Sequence, residues 1–297
     1  MTHRFRRISL IGRYQDPLVA EAIHAVAKHL LARDHSVCVD SQMTPRPQGC
    51  EGSAEATLTH TCDLVISIGG DGTLLRAAAL MPTAAKPLLG INRGRLGFLA
   101  DIAADGMHER IDAVLAGRYD ADERLRLEGS FVDEHGVTQR LLALNDIVIQ
   151  KHDTGRMLDF ETRIDGRFVN SHGGDGLVVA TPTGSTGYAL SCGGPILTPN
   201  LRALVLAPIS PHTLSDRPIV VHQQATIEVR LTAKAPMSAA ITVDGRMRGL
   251  MRKDAVLTIR AADSPVTLLH PSGHDHFGIL RAKLHWGRNH RLENDDA

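Results

Sequence analysis

A glycine-rich pentapeptide that directly follows an apolar run most constrains how this chain can fold. The run Leu64–Ile68 leads into Gly69-Gly70-Asp71-Gly72-Thr73, and a stretch with helical spacing follows. A short β-favouring run that ends at glycine predicts a buried strand. Glycines let a backbone approach a phosphate closely, and the first amides of a helix attract anions. The sequence therefore predicts a strand, a phosphate-binding turn that includes Gly70, Gly72 and Thr73, and then a helix.

Asp71 is the acidic residue of this turn. Beside a helix N-terminus its carboxylate is expected to stay ionised, and next to phosphates it could orient or deprotonate an attacking hydroxyl. The alternative is that Asp71 only caps the helix, although Thr73 could take that role. The turn has neither the Gly-x-Gly-x-x-Gly spacing nor a Gly-Lys-Ser/Thr phosphate loop, and the chain lacks the His-Arg-Asp loop of protein kinases.

Up to about residue 123, short apolar runs alternate with helical periods. Strands are predicted at 8–11, 36–39, 64–68 and 87–91. Helices are predicted after Asp16, which serves as N-cap before Pro17, and at Thr73–Leu80. The polar segment 44–53, rich in Pro and Gly, is predicted to be a mobile loop. The alternation is typical of parallel β-α-β units and predicts a doubly wound, Rossmann-like α/β domain.

After about Arg124, short apolar runs are separated by turn residues. Strands are predicted at 126–132, 141–150, 158–164, 177–180, 203–208, 226–231, 239–243, 256–259 and 266–269. Many short strands predict an all-β, sandwich-like C-terminal domain. The tail, 278–286, returns to helical spacing and is expected to pack on the first domain. The expected domains are therefore 1–123, completed by 276–297, and 124–275.

The charge balance excludes several classes of partner. The 297 residues carry 33 Lys plus Arg and 33 Asp plus Glu, whereas nucleic-acid and membrane-surface binding need a basic excess or stripe. No run approaches the length of a transmembrane helix, and the N-terminus lacks the pattern of a signal peptide. The four widely spaced cysteines are interpreted as reduced thiols. We therefore expect a cytoplasmic protein with no nucleic-acid or membrane partner.

The pentapeptide resembles the signature shared by NAD kinases, diacylglycerol kinases and, more distantly, phosphofructokinases. The resemblance implies that the motif lies near nucleotide phosphates and that Asp71 is the catalytic base. Further stretches, spread over residues 8–286, resemble NAD kinases in particular. The segment Gly90–Leu99 resembles a loop that the family places beside the adenine, which implies that Phe98 stacks on or lines that base. The alternative is that Phe98 is a core aromatic.

Two further segments resemble the dinucleotide site of NAD kinases. The pair Asn145-Asp146 resembles residues that reach the ribose or adenine of NAD, and amide and carboxylate oxygens can accept from ribose hydroxyls. Such a pair can also simply shape a turn. The segment Asp175–Pro195 is rich in small hydroxylated residues and glycines, which suit a polar ligand. The resemblance places Asp175 at the nicotinamide end of the site. It also implies ligand contacts from Thr183, Thr186, Gly187, Tyr188 and Ser191.

Arginines supply the remaining candidates. Arg246, in the turn Val243–Arg246, resembles a family position near the substrate and could meet a phosphate or the adenine end. Taken alone, Asp-Gly in such a turn is a plain hairpin signal. Arg156 also matches a family position near the ligand. Gly173 departs from the pattern, because many bacterial relatives carry a basic residue there.

The resemblance implies transfer of the γ-phosphoryl group of ATP to the 2′-hydroxyl of the adenosine ribose of NAD, giving NADP and ADP. A divalent ion such as Mg²⁺, bound mainly through ATP, is expected because no lysine lies in the glycine motif. No protein metal site is predicted, since His274-Asp275-His276 lacks further ligands at suitable spacing and is interpreted as a polar turn. The resemblance alone implies self-association, as a dimer or tetramer, through the β-rich domain.

Other functions stay open at this point. A lipid or sphingoid-base kinase shares the glycine motif but needs an apolar entry groove, and the hydroxyl-rich segment Thr181–Ser191 argues against one. A non-catalytic module that senses NAD or NADP would bind without turnover, which the intact Asp71 disfavours. A dehydrogenase is disfavoured because the dinucleotide glycine fingerprint is missing. Whether polyphosphate replaces ATP, whether NADH is accepted and whether NADPH inhibits also stay open.

Overall fold

The structure, a computed structural model, describes residues 5–81, 86–94, 97–152, 157–213, 215–232 and 238–286. The chain divides into two compact units. The first contains residues 1–74, 87–121 and 268–297, and the second contains residues 75–86 and 122–267. No helix in the described part of the chain is long and apolar enough to cross a membrane.

The first unit is built on an eight-stranded sheet. Its strands, numbered along the chain, are β1 (Arg7–Gly12), β2 (Ser36–Asp40), β3 (Glu51–Ser53), β4 (Leu64–Gly69), β5 (Pro87–Asn92), β6 (Ile102–Ala103), β7 (Tyr119–Arg124) and β20 (Val266–Pro271). The helices along these segments are α1 (Pro17–Leu31), α2 (Asp71–Leu80), α3 (Met107–Leu115) and α5 (His276–Leu284). The strand order is β3-β2-β1-β4-β5-β20-β7, with β6 beside β5.

Strands β1 to β6 pair in parallel, which confirms the predicted α/β fold. The chain runs outward from β1 through β2 to β3 and then places β4 on the other side of β1. The strand order therefore reverses between β1 and β4. In open α/β sheets, ligands bind at the carboxyl ends of the strands at such a reversal. The glycine-rich turn starts at Gly69, the last residue of β4, and so lies at this edge of the sheet.

Helix α1 forms for the reasons that the sequence suggested. The Asp16 carboxylate accepts a hydrogen bond from the Leu18 backbone N–H at 2.9 Å, and Pro17 is the first helical residue. The buried face of the helix includes Ile23 and Leu30, which pack in one core with apolar residues of β1, β2 and β4. Burial of each such side chain contributes roughly 1.5–3 kcal/mol, so this face holds the helix on the sheet.

Several features of this unit differ from the sequence prediction. The mobile loop predicted for 44–53 is wrong at its end, because β3 pairs in parallel with β2 as an edge strand. Helix α2 begins at Asp71 rather than Thr73. Helix α3 was not predicted, since only Met107, Ile111 and Val114 form its buried stripe among polar residues. Strand β20 was predicted among the strands of the second domain but pairs within this sheet.

The second unit contains two six-stranded antiparallel sheets that share one core, which confirms the sandwich prediction. The first has the order β15-β14-β13-β10-β17-β18 and the second β12-β11-β16-β19-β8-β9. The strands are β8 (Leu127–Val132), β9 (Thr138–Ala143), β10 (Asp146–Gln150), β11 (Leu158–Ile164), β12 (Arg167–Gly174), β13 (Gly176–Ala180), β14 (Ala203–Ile209), β15 (Ile219–His222), β16 (Ile227–Leu231), β17 (Ser238–Val243), β18 (Arg246–Arg252) and β19 (Val256–Ala261). Helix α4 is one short turn, Tyr188–Ser191.

One correction in this unit bears on the candidate site. The single strand predicted for 141–150 is two strands, because the chain leaves the sheet at Leu144 and Asn145 between β9 and β10. An apolar run cannot reveal this break, since residues on both sides of it are buried. Strand β7 of the first sheet and strands β12, β15 and β18 of this unit were also not predicted, and Gly173 and Gly174 end β12.

Candidate functional site

The glycine-rich turn presents an open backbone at the start of α2. Gly69 must lack a side chain, because a Cβ there would lie 2.9 Å from the Cβ of Thr73. In contrast, a Cβ built on Gly70 or Gly72 would meet no atom within 4 Å, and both residues are exposed. The Thr73 backbone N–H donates to the Gly70 carbonyl oxygen at 2.9 Å. The predicted phosphate-binding residues thus share one accessible turn.

Asp71 bonds to a distant loop as well as starting the helix. Its Oδ2 accepts from the Phe98 backbone N–H at 2.8 Å, and its Oδ1 accepts from those of Leu99 and Ala100, each at 3.1 Å. These contacts do not match the alternative that Asp71 only caps α2. A carboxylate has about four acceptor positions, so three backbone bonds leave about one for a ligand.

The loop that Asp71 holds depends on a glycine that the sequence analysis did not single out. A Cβ on Gly97 would overlap Asp71 Oδ1 and lie 2.5 Å from Asp71 Cγ. Asn92 fixes the same loop: its Oδ1 accepts from the Gly94 N–H at 2.7 Å and its Nδ2 donates to the Ala100 carbonyl oxygen at 3.3 Å. Phe98 is half-buried on this loop, and the core clusters found among the described residues do not include it.

In the second unit, the Asn145-Asp146 pair lies where the chain enters β10. The backbone N–H groups of Leu144, Asn145 and Asp146 all donate to the Asp244 carboxylate, at 3.0, 2.8 and 3.1 Å. The Asp244 N–H in turn donates to the Asp146 carbonyl oxygen at 3.0 Å. Asp244 and Gly245 have φ of 47° and 74° and form the two-residue turn between β17 and β18. Sequence reasoning identified this turn but missed the partner of its carboxylate.

Two acids therefore lie close together at this end of the sheet. Burial, with the nearby Asp244 carboxylate as a further cause, raises the pKa of Asp146 to about 7. Burial also raises the pKa of Asp244, against the opposing effect of its three backbone hydrogen bonds and of Arg248. Near neutral pH, Asp146 can thus accept or donate a hydrogen bond toward a ligand, depending on its protonation.

The hydroxyl-rich segment packs directly on Asn145. The Thr181 backbone N–H donates to the Asn145 carbonyl oxygen at 2.9 Å, and Thr181 Oγ1 donates to the Leu144 carbonyl oxygen at 2.6 Å. Gly184 approaches so closely that a Cβ would lie 2.5 Å from the Asn145 carbonyl carbon. A Cβ on Gly187 would lie 3.7 Å from Asn145 Nδ2 and 3.9 Å from Asp146 Oδ2. Asn145, Asp146 and Gly187 are therefore brought together.

The other predicted residues of this segment differ in accessibility. Thr183 is buried, with its Oγ1 3.4 Å from Arg124, and Thr186 donates to the Thr183 carbonyl oxygen at 3.4 Å. Tyr188 and Ser191 are exposed. Tyr188 is 41% exposed, and the burial of its remaining part, together with the nearby Cys192, Asp175 and Asp146, raises its pKa. Tyr188 therefore interacts electrostatically with two of the candidate site residues, Asp175 and Asp146.

Three remaining predictions have different outcomes. Asp175 forms an ion pair with Lys151, with Nζ and Oδ1 2.6 Å apart. Arg246 is exposed at the start of β18, next to the Asp244-Gly245 turn. Arg156 lies outside the residues that the structure describes. A Cβ built on Gly173 would lie 3.3 Å from Asp159 Oδ1, so a basic side chain at this position would meet an acid.

His274, interpreted from the sequence as part of a polar turn, has two partners that the fold supplies. Its Nδ1 and that of His270 each lie 2.9 Å from Asp101 Oδ2, and the three ligand atoms lie within 4.8 Å of one another. However, the two rings are stacked, with centroids 3.9 Å apart. An ion bound by both of these stacked rings would lie outside the two ring planes. An imidazole nitrogen, however, directs its lone pair within the plane of its ring. The arrangement therefore favours a hydrogen-bonded network over metal ligation.

The two units together define a class of protein. A parallel α/β sheet ends in an open, acidic glycine turn, and an antiparallel sandwich carries an acid-amide pair beside a hydroxyl-rich segment. The ATP-NAD kinase N-terminal domain model matches residues 8–119, and the ATP-NAD kinase C-terminal domain model matches residues 144–270. The chain belongs to the ATP-NAD kinase family.

Individual relatives agree with this assignment. The chain is 42% identical to an NAD kinase of Nitrosococcus oceani over 97% of its length and 99% of the relative, and 41% identical to one of Thiobacillus denitrificans over 96% and 98%. It also resembles two solved structures. Yeast NADH kinase complexed with NADH has a TM-score of 0.87 and 23% identity, covering 98% of this chain and 93% of that one, which shows the fold alone. An NAD kinase from Archaeoglobus fulgidus in complex with ATP has a TM-score of 0.74 and 26% identity, covering 94% and 98%.

Proposed function

We propose that the chain is an NAD kinase, which transfers the γ-phosphoryl group of ATP to the 2′-hydroxyl of the adenosine ribose of NAD and releases NADP and ADP. Family membership and relatives about 40% identical support this reaction. The observation that carries the assignment is Asp71, a carboxylate held by three backbone N–H groups in an open glycine turn with an acceptor position left over.

Asp71 is the catalytic base in this proposal. It orients the 2′-hydroxyl and accepts its proton as the hydroxyl oxygen forms a bond to the γ-phosphorus. The bond between that phosphorus and the β,γ-bridging oxygen breaks, and ADP leaves with the electron pair. Such a transfer needs little covalent chemistry from the protein beyond positioning and charge stabilisation. The three hydrogen bonds that hold Asp71 meet the first need, and the open backbone around Gly70 and Gly72 meets the second.

We assign ATP binding to the α/β domain, 1–123 with 276–297, and NAD binding to the β-rich domain, 124–275. Phe98, half-buried on the loop that Asp71 holds, lines the adenine. In the β-rich domain Asn145 and Asp146 bind the ribose or adenine of NAD, and Asp175 lies at the nicotinamide end. The remaining NAD contacts are assigned to Thr183, Thr186, Gly187, Tyr188, Ser191, Arg246 and Arg156.

A divalent ion, Mg²⁺ in this proposal, accompanies ATP. In the described part of the chain, one group of three potential ligands is found, and it consists of Asp101, His270 and His274. The stacking of the two imidazole rings in this group does not suit an ion. The open turn around Gly70 and Gly72 leaves room for an ion carried by phosphates and water, with the remaining acceptor position of Asp71 nearby. Bound there, the ion would neutralise charge on the phosphates.

Two further properties belong to the same proposal. The chain works in the cytoplasm, which its balanced charge and the wide spacing of its four cysteines support. It self-associates as a dimer or tetramer through the β-rich domain, and size measurement in solution by light scattering tests this.

The test of the reaction is formation of NADP from NAD, ATP and Mg²⁺, followed with a dehydrogenase specific for NADP. We expect turnover that needs both ATP and metal and that falls by about 10²-fold or more in Asp71→Ala. Asp105→Ala, an exposed acid of the same unit, serves as the matched control and should keep wild-type turnover. NAD binding without any NADP would instead establish a sensor, and phosphorylation of a lipid alcohol but not of NAD would establish a lipid kinase.

A further inference from the structure

The short segment Leu144–Asp146 has every backbone polar group assigned to a partner. Its three N–H groups donate to the Asp244 carboxylate. Its three carbonyl oxygens accept from Thr181 Oγ1, from the Thr181 N–H and from the Asp244 N–H, in chain order. Only Asp146 of this segment belongs to a strand, as the first residue of β10, yet the whole segment is thereby fixed as firmly as a strand. Its conformation depends on two residues remote in sequence, Thr181 and Asp244.

Asp244 is placed for this role by the fold. Strand β10 pairs with β17 with Ile147 opposite Val243, so the turn after β17 lies beside the entry to β10. The left-handed φ of 47° at Asp244 and the glycine after it direct the chain back into β18. The hydrogen bonds that the carboxylate accepts span 98 to 100 residues of sequence.

The turn itself does not require an acid. Asparagine adopts the left-handed conformation as readily as aspartate and would carry no charge. An acid here has an electrostatic cost, because burial and the neighbouring Asp146 disfavour two ionised carboxylates. Only a carboxylate, however, accepts from three N–H groups without presenting a donor of its own. The acid is therefore explained by the acceptors that it supplies to Leu144–Asp146.

We propose that Asp244 is a positioning residue for dinucleotide binding: its carboxylate fixes the Leu144–Asp146 backbone so that the side chains of Asn145 and Asp146 meet the dinucleotide. This inference rests on the proposed function, in which those two side chains bind NAD. Asp244 acts through the backbone of its neighbours and needs no contact with the ligand. Its loss should therefore change the affinity for NAD far more than the affinity for ATP.

The test is Asp244→Asn in the full-length protein, assayed for NADP formation with each substrate varied in turn. Asparagine keeps the turn and nearly the same size but replaces one acceptor oxygen with an N–H₂ group that faces N–H groups. We expect the KM for NAD to rise about tenfold or more, because bonds to a charged acceptor are lost. The KM for ATP should stay within about twofold of wild type, since a local change leaves independent sites unaffected.

The chain offers a closely matched control. Asp165 also precedes a glycine in a two-residue turn, with φ of 51° at Asp165 and 74° at Gly166, and its Oδ1 accepts a single bond from the Thr226 N–H at 2.8 Å. Asp165→Asn repeats the same chemical change in the same kind of turn, away from Asn145. It should leave both KM values at the wild-type level.

A third variant separates failure of this inference from failure of the proposed function. If Asn145→Ala raises the KM for NAD but Asp244→Asn behaves like Asp165→Asn, the positioning role is wrong and the NAD site stands. If Asn145→Ala leaves the KM for NAD unchanged, the NAD site itself is wrong and the inference falls with it. Should Asp244→Asn not fold, Asp244→Glu keeps the carboxylate but moves it by one methylene. A wild-type KM for NAD in that variant would overturn the inference, and a raised one with the KM for ATP unchanged would support it.

Discussion

Asp71 and Asp244 lie in different units, yet their carboxylates are bound in the same way. Each accepts from three successive backbone N–H groups, those of residues 98–100 for Asp71 and of residues 144–146 for Asp244. They differ in what surrounds them. Asp71 has an exposed glycine on both sides, whereas Asp244 has one on its C-terminal side only and lies near a second acid, Asp146. The comparison teaches that three N–H bonds to a carboxylate fix a loop, and that the two carboxylates differ in the space left open beside them, which in the proposed mechanism lets Asp71 meet the substrate.

The largest expected effect is that of Gly97→Ala, which tests whether Asp71 reacts or only fixes its loop. In Gly97→Ala the new methyl group would overlap the Asp71 carboxylate, so Asp71 must move although no functional group is removed. A displacement of about 1 Å in a reacting group can reduce turnover about 100-fold, and we expect a loss of that size in kcat for NADP formation. Circular dichroism should show an intact fold.

Gly94→Ala is the control for that variant, because it lies in the same loop and its Cβ would come only within 3.9 Å of Asn92 Oδ1. It should keep most of the wild-type kcat. Equal activity of Gly97→Ala and Gly94→Ala would mean that the position of Asp71 does not limit the reaction, and Asp71 would then be a loop-fixing residue like Asp244.

The second-largest expected effect concerns Asp146, the acid that lies near Asp244. Folding raises the pKa of Asp146 from 3.8 to about 7, so the folded state binds this proton more tightly than the unfolded state. The resulting stability is complete below about pH 4 and is lost as the pH rises through about 7. The free energy of unfolding of Asp146→Asn, relative to wild type, should therefore increase by about 2–3 kcal/mol between pH 5 and pH 8.

Urea unfolding at the two pH values measures this difference. The same variant should bind NAD more weakly, so stability and affinity should change in opposite directions. If the difference in free energy of unfolding between wild type and Asp146→Asn does not change with pH, Asp146 does not take up a proton on folding in this range.

A smaller effect is expected at Asp101, whose partners are imidazoles rather than backbone amides. Burial acts to raise the pKa of Asp101, but hydrogen bonds and charge from His270 and His274 outweigh it and lower that pKa to about 2. The stability from this group is present above pH 3.8 and is lost as the pH falls through about 2. Asp101→Asn should lower the free energy of unfolding at pH 7 by about 2 kcal/mol, measured by urea unfolding. The difference should shrink toward pH 3, and a constant difference would contradict the account.

The smallest effect is expected for a carboxylate that is only partly buried. Lys151 and Asp175 are each about a third exposed, so solvent and salt screen their ion pair. We expect Lys151→Met to raise the KM for NAD by no more than about fivefold, and the change should diminish in 0.5 M salt. An effect as large as that of Asp244→Asn would mean that Lys151 binds the dinucleotide directly.

The parts that the sequence predicted correctly are those determined by neighbouring residues. The apolar run of β4, the glycine turn after it and the cap of α1 are all local patterns, and each lies where it was predicted. Three other features were not predicted from local patterns. They are the break between β9 and β10, the role of the Asp244 carboxylate and the need for glycine at position 97. Each results from a contact that spans about 26 to 100 residues, as between Asp71 and Gly97 or between Asp244 and Leu144. No local periodicity or propensity encodes such a contact, although glycine directly before Phe98 gave a weak signal.

The position of β20 has a consequence for how the protein is made. This strand lies between β5 and β7 in the sheet, although the chain produces it some 140 residues after β7. During synthesis, which proceeds from the N-terminus, β5 and β7 are therefore complete long before the strand that separates them exists. All strands of the sandwich leave the ribosome in that interval. The second unit can thus fold while the first still has an unfilled gap in its sheet, so truncation before residue 266 should leave a nascent α/β unit with two exposed strand edges.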